Sequence, residues 1–372
     1  MKLRLAVLAA TALVLVAPAL ASPPSVGGRA YYVQNATTGE VLLARAADER
    51  VPIASITKLM TVLVTLEHAR LDDVVTVTRR AAATGESTID LRVRERISVR
   101  DLVEAGLIQS ANDAAVALAD YVGGSQKNFV ALMNRKAKQL GLRDTHFANP
   151  DGLDARAHYS SARDVTRLAE VAMHNPVIRD VVRRTEAVIS GGRLLHTWND
   201  LLSTFPHLLG VKTGHTSAAG WSEVAAARGR GVTIYASLLG EPTRSQRNAD
   251  LTALLAWGLS RYRVVPVISR KRVYASARAP YGHRALSLVA SKELLRVVRV
   301  DRTLREEVVA PAVVSLPVVR GQRLGEVRVY AGGLLLAREP LLAARSISRP
   351  GLFGRAGFYA SRTVHHVWSW LS

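Results

Sequence analysis

Apolar residues recur along this chain in two rhythms, and the switches between them divide it into segments. Residues 29–55, "RAYYVQNATTGEVLLARAADERVPIAS", carry two short β-forming runs about a turn at Thr38-Gly39, which predicts an opening hairpin and a loop. Next, "SITKLMTVLVTLEHARL" sets Ile56, Leu59, Met60, Leu63 and Leu66 at helical spacing, with Pro52 just upstream to help start the turn, and predicts a buried helix from about Ser55. Helical patterns flank Ser110 in "VRDLVEAGLIQSANDAAVALADYVGG", which ends in a Gly-Gly stop. Two more follow in "SQKNFVALMNRKAKQLGL", closed by Gly141, and "SARDVTRLAEVAMHNP". From Arg193 the period shortens: "GVKTGHTSAAGWSEVAAARGRGVTIYASLLG" alternates as strands do around "ARGRG", and "RSQRNADLTALLAWGLSRY" returns to helix. Strands at both ends with helices between predict an α/β (α+β) domain whose antiparallel sheet joins the two ends of the segment. Beyond Arg263 the chain is valine-rich and proline-punctuated, with Gly332-Gly333 at a hairpin-turn position, which predicts a second, all-β domain.

The two chain ends follow other rules. "MKLRLAVLAATALVLVAPALASPPS" has a basic start at Lys2 and Arg4, an apolar run from Leu5 to Ala17 and a small-residue end at Ala19-Leu20-Ala21. That is the pattern of a secretory signal over residues 1–21, too short and wrongly flanked for a permanent span, so the mature chain is expected outside the cytoplasm. At the far end, Ala360, Val364, Val367, Trp368 and Leu371 share one helical face and Arg355, Arg362, His365, His366 and Ser369 the other. Residues 350–372 are therefore expected to form a basic amphipathic helix that lies on an anionic membrane surface without spanning it. The expected organisation is a signal at 1–21, a large domain at 29–262, a β-rich domain at 263–347 and the tail.

Composition narrows the partners. The chain has 372 residues, 48% of them hydrophobic, enough for one large core and a smaller appended domain. With no cysteine, packing alone holds the fold in an oxidising compartment. The formal charge is +20. An exported cation meets anionic headgroups and acidic wall polymers, and arginine dispersed without a lysine-rich block or zinc-finger spacing gives no sign of a nucleic-acid partner.

Three short motifs carry candidate chemistry. Ser55-Ile56-Thr57-Lys58 puts a hydroxyl and an amine one helical turn apart, and no other lysine follows a serine at this spacing. Burial of that helix, with other positive charge nearby, would disfavour the ammonium form and let Lys58 take a proton from Ser55. Ser110-Ala111-Asn112 sits between two helical patterns, where a loop can turn a hydroxyl and a carboxamide into a cleft. Asn112 offers a donor and an acceptor to an extended peptide, and Ser110 can relay a proton between a lysine and a leaving amine. Lys212-Thr213-Gly214 falls in a strand, where Lys212 and Thr213 can hold a terminal carboxylate and Gly214 lets a substrate backbone approach. The amides of Ser55 and His215 would then serve as paired donors to an oxyanion.

Ser-x-x-Lys, Ser-x-Asn and Lys-Thr-Gly in this order are shared by penicillin-binding proteins and class A β-lactamases. Over residues 29–262 the chain resembles the low-molecular-mass D-Ala-D-Ala carboxypeptidases of the peptidase S11 type, also in "TTGEVLLARAADERVPIASITKLMT", "FANPDGLDARAHYSSARD" and "KTGHTSAAGW". The resemblance implies a wall-facing enzyme that removes the terminal D-alanine from peptidoglycan stem pentapeptides without metal or organic cofactor, and that β-lactams acylate. It implies Ser55 as nucleophile, Lys58 as base, Ser110 and Asn112 as proton relay and substrate clamp, Lys212, Thr213 and Gly214 as the carboxylate-binding strand and His215 as an oxyanion donor. Asn149 to Leu153 would shape the loop beneath. One position departs from the family wording: "HTWNDLL" keeps Asn199, Leu201 and Leu202 but has Thr197 where an asparagine is common. The rival readings are a serine β-lactamase, for which no Glu-x-x-Leu-Asn signature stands between Asn112 and Lys212, and a non-catalytic wall-binding scaffold, which would call for a damaged motif.

Overall fold

The computed structural model describes residues 7–8 and 22–353. The signal expectation falls almost wholly outside these residues, and so does the tail beyond Phe353. Two compact units form, one of Ala21–Arg261 and one holding the residues from Tyr262 on.

In the first unit, the two ends of the segment meet in one antiparallel sheet. Its strands run in the spatial order Val41–Arg45, Ala30–Asn35, Val232–Glu241, Gly220–Gly229, Leu208–Thr216. The hairpin turn at "ARGRG" is supplied by Arg230 and Gly231, both at positive φ, which matches the right-handed twist of its flanking strands. Ser222 to Ala227 are buried on both faces. Helix Arg244–Ser260 packs on the sheet, and so does Ala162–His174. The small side chains of Ala225, Ala226 and Ala227 let both helix layers approach closely.

Helix Lys58–His68 lies in the middle of the helical layer, with every residue from Lys58 to Thr65 buried. Two of its threonines need partners there, and find them: Thr61 Oγ1 donates to Pro150 O at 2.6 Å and Thr65 Oγ1 to Thr61 O at 2.8 Å. The expected helical start at Ser55 proves to be a 3₁₀ turn, Ala54–Thr57, that feeds the α-helix. Helices Val99–Glu104 and Asn112–Gly123 flank Ser110, joined by a widened π-type turn at Ala105–Gln109; Gly124 ends the second of them and Gly141 follows the end of helix Gln126–Gln139, both at positive φ.

The second unit is all β. Strands Leu304–Val309, Arg323–Ala331, Leu334–Ala343, Leu286–Ala290 and Val273–Ala277 pair antiparallel in that order, and Tyr262–Ile268 pairs with Leu294–Arg299. Gly332-Gly333 turns the chain between two of these strands, and Ile268, Leu286, Leu288, Val327 and Leu341 are fully buried between them. No helix among the described residues is long and apolar enough to cross a membrane.

Candidate active site

Ser55 owes its position to a turn that is clamped from two sides. Ala54 takes φ +48, a conformation that costs a side-chain-bearing residue and persists only where surroundings hold it. Gly152, at φ +92, lies so close beneath that a Cβ there would come within 2.0 Å of Ala54 O. From the other side comes the edge strand Leu208–Thr216, where a Cβ on Gly214 would come within 2.6 Å of Ile53 O. Beside the expected reason for Gly214, access for a substrate backbone, stands a second one: the strand abuts the Ser55 turn itself.

Lys58 is fully buried beside this turn. Its Nζ is 2.7 Å from Ser55 Oγ, 2.7 Å from Asn112 Oδ1 and 2.6 Å from Asp151 O. Asn112 Nδ2 donates to Gly85 O at 3.0 Å, which fixes the carboxamide with its oxygen toward Lys58. As an ammonium, Lys58 would donate to all three acceptors. As an amine it has two N–H groups for Asn112 Oδ1 and Asp151 O, so its lone pair is left facing Ser55, whose O–H then donates to it. Burial lowers the Lys58 pKa to about 8, against the opposing fields of Asp151, Glu86 and Asp113.

The second lysine makes a contact that its motif did not indicate. Lys212 Nζ is buried and donates to Ser110 Oγ and to Thr213 O, each at 2.9 Å. Burial pushes its pKa well below the ordinary lysine value, with the Lys58 charge second. Burial is thus the leading cause of the lowered pKa of both lysines. Ser110 itself stands at φ +65, at the end of the π-type turn.

All three motifs open on one cleft of about 220 Å³, lined by Ser55, Ser110, Asn112, Thr213, Gly214 and His215 among others. The Asn149–Leu153 loop does more than shape the floor. It supplies the carbonyl of Asp151 to Lys58, and Asn149 braces it through Gly152 N at 2.8 Å and Leu153 O at 2.8 Å.

Six lining residues went unread in the sequence: Glu86, Ser87, Trp198, Thr216, Trp221 and Arg247. Trp198 lies inside the quoted "HTWNDLL", between Thr197, whose Oγ1 accepts from Asn199 N at 3.1 Å, and Asn199, whose Oδ1 accepts from Leu201 N at 3.1 Å. Its indole donates to Gln109 O at 3.0 Å, and the Arg244 guanidinium lies 5.3 Å from its ring. A tryptophan in a polar stretch was the available signal. Trp221 stacks on His215 with ring centroids 4.1 Å apart. Arg247 is buried against Glu223, 3.2 Å away, and the carboxyl of Glu223 is pushed up by its burial to about 7.

The comparisons agree with this geometry. The family model for D-alanyl-D-alanine carboxypeptidase, peptidase S11, matches residues 17–243. The D-alanyl-D-alanine carboxypeptidase DacD of Salmonella typhimurium is 32% identical, over 96% of this chain and 98% of its own. Among solved structures, penicillin binding protein 6B from Escherichia coli is similar at 29% identity and a TM-score of 0.65, covering 87% of this chain and 97% of its own. The Streptomyces K15 DD-transpeptidase is similar at 33% identity and a TM-score of 0.61, covering 64% of this chain and 100% of its own. With its three motifs converging on one cleft and its matches running over most of its length, the chain belongs to the peptidase S11 family of D-alanyl-D-alanine carboxypeptidases.

Proposed function

We infer that this chain is a serine-type D-Ala-D-Ala carboxypeptidase in which Ser55 is the nucleophile and Lys58 its base. The contact that carries this reading is the 2.7 Å between Ser55 Oγ and a buried amine whose other two partners accept only. Ser55 Oγ attacks the carbonyl carbon of the last peptide bond while Lys58 takes its proton, and the oxyanion is met by the amides of Ser55 and His215. Ser110, held by Lys212, relays the proton taken up by Lys58 to the departing D-alanine amine as the C–N bond breaks, which returns Lys58 to its free-base form. Water then cleaves the acyl ester and returns the proton to Ser55. Asn112 clamps the donor peptide. Thr213, with Arg247 behind it, receives the terminal carboxylate, and Lys212 contributes its field from below.

The substrate is the stem pentapeptide of peptidoglycan, and β-lactams acylate Ser55 as mimics of its end. The apolar leader supports export, and the basic tail supports attachment to the outer face of the cytoplasmic membrane. Incubation with a pentapeptide followed by mass analysis tests the reaction: loss of one alanine is expected, while a dimeric product would mean transpeptidation. Penicillin turnover without release of D-alanine would mean a β-lactamase. A fluorescent penicillin should label the wild type and leave Ser55→Ala unlabelled. A wild type that fails to label would be a scaffold, and a labelled Ser55→Ala protein would remove Ser55 from the mechanism.

A further inference from the structure

We propose that Glu86 is a specificity determinant of the cleft, selecting donor peptides that carry a free side-chain ammonium group. This rests on the carboxypeptidase reading above. Apart from His215, Glu86 and Arg247 are the charged residues among those lining the cleft, one of each sign. Arg247 is already paired with Glu223 and Asp200, so Glu86 is the charge left at the cleft to receive the side-chain ammonium of a peptide whose terminal carboxylate is held at Thr213.

Placement of Glu86 is built, not incidental. It takes φ +66, a left-handed conformation unfavourable to a residue with a side chain. The neighbours on both sides hold it there, because Asn112 donates from Nδ2 to Gly85 O at 3.0 Å and from its backbone N to Ser87 O at 2.7 Å. Ser87 Oγ donates to Gln109 O at 2.9 Å, and Gln109 Nε2 to Thr88 O at 2.7 Å. The strained residue is thus riveted to the Ser110–Asn112 segment, and strain that surroundings enforce beside a reaction centre points to use.

The other acids of this neighbourhood are already engaged. Glu95 pairs with Arg193 at 2.7 Å, Asp90 accepts from Thr88 Oγ1 at 2.9 Å, and Asp113 accepts from the amides of Ile89, Leu91 and Ala114. Glu86 is exposed, and among the described residues it forms no hydrogen bond or ion pair. In a chain of 50 basic and 30 acidic residues, an unpaired carboxylate at the cleft is left for a cation from outside.

The test compares two tripeptides, Nα-acetyl-L-Lys-D-Ala-D-Ala and its Nα,Nε-diacetyl form, by D-alanine release at low ionic strength. Wild type should favour the free amine in kcat/KM by about fivefold, the upper range for a solvent-exposed ion pair, and the ratio should fall to near one in Glu86→Gln. Because the ratio is taken within one enzyme, a general loss of activity in the variant cancels. A wild-type ratio of one, or a preference that survives in Glu86→Gln, overturns the assignment of Glu86 alone. Release of D-alanine from neither peptide by wild type overturns the carboxypeptidase reading and this assignment with it.

Discussion

Lys58 has Ser55, Asn112 and Asp151 as its hydrogen-bond partners and no carboxylate oxygen among the atoms it touches, so the fields of Asp151, Glu86 and Asp113 offset only part of the cost of burying its charge. With its pKa at about 8, the free-base form becomes dominant as pH rises through that value. The rate of β-lactam acylation should climb with pH and level off above about 8, and Lys58→Arg, whose guanidinium cannot serve as a base, should lose at least about a thousandfold in that rate. A Lys58→Arg protein acylated at the wild-type rate would take the amine out of the mechanism. Stability carries the same signature. Folding lowers the pKa of this lysine, so the unfolded chain binds the proton more tightly, and the group's contribution rises as pH climbs from about 8 toward the ordinary 10.5. Urea midpoints should therefore show wild type gaining on Lys58→Met across that window; parallel curves would contradict the burial argument.

At the scale of elements, the Ser55 turn is a wedge between a loop and an edge strand, and two glycines make the fit. Replacing Gly152 by Ala would drive a Cβ to 2.0 Å from Ala54 O at a φ of +92. Neither clash nor conformation can relax without moving the nucleophile. Gly152→Ala is expected to cost about 2–4 kcal/mol in unfolding free energy and to lower the acylation rate at least about tenfold. Wild-type values for both in the purified variant would show that the turn is softer than its geometry indicates. The spacing of Ser55 and Lys58 was readable as one turn of helix, because side chains three apart meet in a 3₁₀ turn as they do in an α-helix. The clamp was not. Gly152 and Ala54 are almost a hundred residues apart, and the acceptor that Asp151 offers to Lys58 is a backbone carbonyl, which every residue type carries.

At the scale of the whole molecule, every residue lining the cleft belongs to the Ala21–Arg261 unit. A protein of residues 22–261 should fold and be acylated by penicillin at the rate of the longer chain. Loss of labelling in a folded 22–261 protein would give the β-rich unit a part in the site. Removal of residues 350–372 should likewise leave acylation unchanged while abolishing binding to vesicles of anionic lipid; equal vesicle binding by the truncated and intact proteins would refute a membrane role for the tail.

Local sequence was enough for the main elements and for the residue types and spacing of the motifs. Helical and strand periods, glycine stops and hydroxyl–amine spacing are all written within a few residues of one another, and short-range sterics read them directly. Local sequence also carried the closing of the sheet by both ends of the segment, since strands there bracketed a run of helices. Tertiary structure alone decided that Lys212 faces Ser110, and that the Val224–Ala227 run is covered on both faces by helices. It alone brought Glu86, Trp198 and Arg247 from three distant segments to one cleft. Those facts depend on where elements pack against each other, and residues remote in the chain leave no periodic mark of the neighbours they will meet.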